Sequence, residues 1–125
     1  MVWTRWITWR WSNSAGRSTA SYAAPGQPPV AMLWCDPAQR ATILWTNAGL
    51  AEPAPLMVTT TGTRRLLTAQ PQPGGGSSAR LATSDPLLDA IAFSRGRFML
   101  EMTGSPALYL PAWPELSRVI EDCRG

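Results

Sequence analysis

The chain has no histidine and no lysine, and it carries only two cysteines in 125 residues. Each absence removes a class of chemistry. Without imidazole there is no Ser-His-Asp or Cys-His pair, no His-ligated metal, and no side chain whose ordinary pKa lies near neutrality. Two cysteines alone cannot complete a metal site, and neither has a histidine to draw off its proton. The carboxylates are also thin, and no spacing among them sets two on inward-facing strand positions across a cleft, as glycosidase-type chemistry requires. No enzyme activity, no cofactor and no metal are expected.

Charge is scarce as well. Charged residues make up 15% of the chain, against about 25% in ordinary soluble domains, so the surface must be largely neutral. The net charge of +3 comes entirely from arginine on the basic side and is spread along the whole sequence. That all-arginine usage reflects either planar, bidentate anion contacts or codon bias. Without a clustered basic stripe, nucleic acid is not an expected partner. No run of eighteen apolar residues is present, which excludes a membrane-spanning helix.

What the chain does have is 45% apolar residues, enough for one packed core, punctuated by twelve prolines and ten glycines. Such frequent breakers favour short strands over long helices. Successive segments fit that pattern. Ser18 to Ala23 reads as a short strand, and Pro29 to Cys35 as a buried one that turns through Asp36-Pro37-Ala38-Gln39 into Arg40 to Thr46. Pro55 to Thr61 and Thr63 to Ala69 form a second hairpin about Gly62, and the glycine-rich Pro71 to Ser78 is a surface loop before a brief strand at Arg80 to Thr83. Asp85 caps a helix starting at Pro86 and ended by Gly96, after which Arg97 to Thr103 and Ala107 to Leu110 make a third hairpin. Pro114 then starts a terminal helix whose Leu116, Val119, Ile120 and Cys123 share one face.

The fold class expected is therefore mainly β with two short helices: an antiparallel β-sandwich or half-open barrel closed by the C-terminal helix. Residues 17–125 form the single β-rich domain, and residues 1–16 a Trp/Arg-rich extension. A cysteine on the apolar face of the closing helix and another in a core strand suit a Cys35–Cys123 disulfide, which belongs to an oxidising compartment. The alternative is two buried, unpaired thiols packed as small hydrophobes.

Three groups of residues are candidates for binding. Arg95 and Arg97 flank Gly96 at a helix end and can fork onto a carboxylate, phosphate or glycan acid, or else satisfy helix carbonyls and pair with Glu101 or Asp89. Trp113, bracketed by prolines, is either an exposed platform for a sugar or peptide or a plug sealing the base of the helix. Arg64 and Arg65 are adjacent, so on a strand they face opposite sides and make no joint patch. Trp34 and Trp45 are expected as core or cross-strand partners. Finally, Trp3, Arg5, Trp6, Trp9, Arg10 and Trp11 combine indoles with arginines, a composition that can seat on an anionic membrane surface; the same residues suit an edge strand or an unstructured extension. Arginines interrupt this start, so it is not read as a signal peptide, and any export signal is expected to have been removed or to lie upstream.

The segment from Asp85 to Glu101 (DPLLDAIAFSRGRFMLE), then Leu108-Tyr109-Leu110-Pro111, then a helix ending in Cys123, resembles small exported bacterial proteins of uncharacterised role. More loosely it is similar to the invasion-associated locus B type of periplasmic β-sandwich. The likeness covers roughly the last forty residues; the chain departs from the pattern in its lack of lysine and its Trp/Arg-rich start. The resemblance implies a periplasmic or secreted location and a non-enzymatic binding or structural role in the cell envelope, with an envelope protein or anionic ligand as partner. The alternative is a peripheral membrane protein docking through its N-terminal arm.

Overall fold

The computed structural model describes residues 7–125. Nine strands and two helices follow one another as β1 (Thr8–Ser14), β2 (Arg17–Ala23), β3 (Ala31–Asp36), β4 (Ala41–Thr46), β5 (Ala54–Thr59), β6 (Arg64–Pro71), β7 (Ser77–Ala82), α1 (Pro86–Ala92), β8 (Arg97–Glu101), β9 (Leu108–Pro111) and α2 (Pro114–Arg124). All strands join one antiparallel sheet in the order β1-β2-β3-β4-β7-β6-β5-β8-β9. Between the two expected architectures, this is nearer the half-open barrel.

The sheet is pinched at β6. Its first part pairs with β5 over six residue pairs, from Ala54–Ala69 to Thr59–Arg64, whereas only Gln70 and Pro71 reach across to Ser78 and Ser77 of β7. Two well-knit sections are therefore linked by a two-pair ladder. Alternation sends one face of every strand inward: Leu33 and Cys35 from β3, Leu56 and Val58 from β5, Phe98 and Leu100 from β8 all join a single buried cluster. The helices fill the interior, α1 with Leu87, Leu88 and Ile91, α2 with Leu116, Val119 and Ile120.

Residues 8–14, placed in the N-terminal extension and read alternatively as an edge strand, form the edge strand β1. Ala15 and Gly16, both with positive φ (53° and 76°), make a two-residue turn that sets Ser14 opposite Arg17. Alternation then turns Trp9 inward, where it is 2% exposed and stacks obliquely on Tyr22 at 5.1 Å. Its indole Nε1 donates to the carbonyl of Pro111 at 2.8 Å. Because β1 and β9 are the two edges of the sheet, that bond bridges the seam of the half-open barrel. Pro111, with no N–H, cannot extend a ladder there.

The last helix is also joined covalently to an interior strand of the sheet. Cys35 in β3 and Cys123 in α2 form a disulfide with Cα atoms 5.3 Å apart, tying residues separated by 88 positions. α1 starts as expected, since the Asp85 carboxylate accepts from the Leu87 N–H at 2.9 Å. It ends earlier than expected, at Ala92 with Phe93 as its cap; Gly96, at φ 77°, serves to start β8.

Two ion pairs anchor α1. Arg65 holds Asp85 in a forked contact, and Arg124 of α2 holds Asp89 at 2.7 Å while also donating to the Thr83 carbonyl. The Arg65 guanidinium lowers the Asp85 pKa, against a smaller opposing effect of burial. A depressed folded-state pKa stabilises the fold above the unfolded value, about 3.9, and that contribution disappears as pH falls through the lowered one. Asp85→Asn keeps a capping side chain but loses the ion pair. The variant should unfold at a lower denaturant midpoint than the native chain at pH 7, and the gap should narrow as the pH falls through the lowered Asp85 pKa; a gap independent of pH would remove the ion pair as its cause.

Candidate functional site

The segments that carry the sequence candidates Arg95, Arg97 and Trp113 are joined through their backbones. The local chain explains how. Ser94, buried after the last turn of α1, receives a hydrogen bond from the Thr61 N–H at 3.0 Å and donates to the Arg97 carbonyl at 2.7 Å. The Arg95 N–H donates to Thr61 Oγ1 at 2.7 Å, which fixes this segment against the β5–β6 turn. Across the next junction, the Ala112 N–H donates to the Gly96 carbonyl at 3.1 Å, and Arg97 faces Pro111 in the β8–β9 ladder. Phe93, Arg95, Arg97 and Trp113 thus all lie close in sequence to that one hydrogen bond.

Their side chains are outside the core. Phe93 is 78% exposed, Tyr109 51% and Trp113 38%. Trp113 stands at the N-cap of α2 in an extended conformation, partly exposed. Arg97 does not pair with Glu101 or Asp89. Its guanidinium lies 4.7 Å from the centre of the Tyr109 ring, and Asp89 is taken by Arg124. Among the described residues, neither Arg95 nor Arg97 has a carboxylate within ion-pairing distance. Stacking on tyrosine leaves the edge of a guanidinium, where its N–H donors lie, open to a ligand.

Two arginines with no ion-paired acid among the described residues thus lie within a few positions of three exposed aromatic side chains, of which Tyr109 contacts Arg97. A guanidinium without a paired acid can form forked hydrogen bonds to an anion. Tyr109 had no standing in the sequence reading; the signal was its place diagonal to Arg97 on the outer side of the hairpin, which follows once the β8–β9 register is known.

The remaining candidates are placed elsewhere. Arg65 lies opposite Val58 and turns to Asp85, while Arg64 faces outward by Leu66 and Glu101, so the two do separate to opposite sides. Trp34 and Trp45 lie on the outer face of β3 and β4 as cross-strand partners and not in the core. Of the lipid-binding candidates, Trp3, Arg5 and Trp6 fall outside the described residues. Trp9 is in the core, which removes it from any membrane contact. Trp11 is partly buried, with the Arg118 guanidinium 3.3 Å from its ring centre and its Nε1 donating to Ser18 at 2.8 Å. Only Arg10 of the described set stays exposed. No group of three or more potential metal-ligating side chains occurs among the described residues, nor is any helix there long and apolar enough to cross a membrane. Comparison with protein-family models, with curated proteins and with solved structures found no match to the chain.

Proposed function

We propose that the protein is a non-enzymatic binding module of the bacterial cell envelope that holds an anionic partner at the Arg95–Arg97–Trp113 end of its barrel. The observation that carries this reading is the Arg97 guanidinium lying over exposed Tyr109 with no ion-paired acid among the described residues, on a strand joined through the Gly96–Ala112 hydrogen bond to the segment of exposed Trp113. Exposed aromatics beside arginine make the residue combination most enriched where protein surfaces bind tightly. The disulfide supports a periplasmic or secreted setting, because such bonds persist where thiols are not kept reduced.

An acidic peptide, such as hexa-aspartate, is the simplest probe. Titrated at low salt, it should bind the native protein and perturb the Trp113 environment. A bond from a charged donor contributes about 1.5 to 3 kcal/mol, so Arg95→Gln with Arg97→Gln should weaken binding by more than about tenfold. Raising the salt should weaken native binding too. Equal affinity of the double variant would overturn the assignment. Docking through the N-terminal arm is narrowed by the inward turn of Trp9, which leaves Arg10 and residues 1–6 to carry it.

A further inference from the structure

We infer that a second site, on the outer face of β2, β3, β4 and β7, binds an acidic saccharide chain. This face is distinct from the β8–β9 hairpin, so the inference stands independently of the anion site above. Outward positions of a solvated antiparallel sheet are ordinarily polar. Here they carry Trp34, Trp45 and Met32 instead. Ladder register sets Trp34 between Thr19 and Ile43, and Trp45 between Met32 and Ser78, so the two indoles are diagonal neighbours on one face.

The β6–β7 turn builds a lip over this face. Trp45 Nε1 donates to the Gly75 carbonyl at 3.2 Å, and Gly76 lies so close that a Cβ there would fall 2.6 Å from the indole ring and 2.5 Å from the Thr46 carbonyl oxygen. With φ at 78° as well, only glycine suits the position. The result is a cavity of about 570 Å3 bounded by Arg17, Thr19, Ser21, Trp34 and Trp45 with Gln72 on the lip, a volume in the range of ordinary ligand clefts. A second cavity of about 510 Å3 shares Trp45, Gly74 and Gly75 with the first and continues past them to Val30 and Asn47. The two together favour an elongated occupant over a single small molecule.

The lining chemistry selects the ligand class. Indoles offer flat apolar surfaces to the C–H face of a pyranose ring, while Ser21, Thr19 and Gln72 offer the short donors and acceptors that ring hydroxyls need. Arg17 is the only charged residue lining the main cavity; it lies 5.7 Å from the Trp34 ring centre, and no carboxylate is paired with it among the described residues. A guanidinium beside a stacking platform matches a carboxylate borne on a sugar ring, through forked hydrogen bonds.

The test titrates the native protein with a galacturonic acid tetramer, with its methyl-esterified form, and with a polyproline peptide, following tryptophan fluorescence. The acidic tetramer should bind more tightly than its neutral ester by about tenfold, one charged contact. Arg17→Gln should bring the acid down to the ester while leaving the ester unchanged. Trp34→Ala should lose both, with Trp34→Tyr restoring most of the affinity and so separating loss of stacking from loss of fold. Arg95→Gln with Arg97→Gln should change nothing. Failure of both saccharides to bind, equal affinity for acid and ester, or a preference for the polyproline peptide would each overturn the inference. None of those outcomes touches the hexa-aspartate result, so the two sites fail separately.

Discussion

Replacing Cys35 and Cys123 together by alanine should lower the melting temperature by on the order of 15 °C. In the chain-entropy view, a cross-link spanning 88 positions stabilises by about 4 to 5 kcal/mol, chiefly by restricting the unfolded chain. Domains of this kind have only about 5 to 15 kcal/mol in total, so the loss is a large fraction. Cys35 is 4% exposed and packs with Leu33 and Leu44, so alanine also leaves a small void. Thermal unfolding of the double variant, alongside native protein with and without reductant, measures the effect. A shift below about 3 °C would mean that α2 is held by its apolar face alone.

Trp9→Ala should cost about 3 to 5 kcal/mol, the range for removing a buried aromatic side chain. The indole is 2% exposed, stacks on Tyr22, and makes the hydrogen bond to Pro111 that joins the sheet's two edges. Trp9→Phe separates the contributions: it keeps most of the apolar volume and leaves the Pro111 carbonyl without its donor, for a loss of about 1 to 3 kcal/mol. Denaturant midpoints at a constant slope measure both. A Trp9→Ala cost below about 1 kcal/mol would reduce β1 to an appendage on an otherwise complete domain.

Local signals in the sequence predicted most elements well. The apolar run Pro29 to Cys35, the alternation over Arg97 to Thr103, the Asp85-Pro86 start of α1 and the helical spacing of Leu116, Val119, Ile120 and Cys123 each depend on neighbours within a few residues. The strands found, Ala31–Asp36 and Arg97–Glu101, and α2 agree with them to within about two residues at each end, and α1 starts at Pro86. The pairing of Cys35 with Cys123 was legible for the same reason, since helical spacing turned Cys123 inward and Cys35 lay in an apolar run read as a core strand. β1 was legible only as one of three readings. Its turn places alanine at a positive-φ position where asparagine, aspartate or glycine is the usual mark, and three polar residues follow Trp11 before that turn. Tryptophans spaced by two with arginine between suited a membrane contact as well as a strand; only packing against Tyr22 and Pro111 decides.

The candidate sites divide along the same line. Arg95, Arg97 and Trp113 stood out through composition and proximity to glycine or proline, but their meeting depends on the Gly96–Ala112 and Thr61–Ser94 hydrogen bonds, which connect distant parts of the chain. The outer-face groove was hidden more thoroughly. Trp34 and Trp45 sit in strands whose inward positions are also apolar, so nothing local says which face an indole takes. Gly76 marks the lip only once the β6–β7 turn is laid over β4.

The covering of four strands by a helix made much later has a consequence for biogenesis. α2 packs on β1, β2, β3 and β4, so these strands lack their lid until a segment far downstream has been made. Contacts of such long sequence separation form slowly. During synthesis this end of the sheet stays open, and it closes only when α2 arrives.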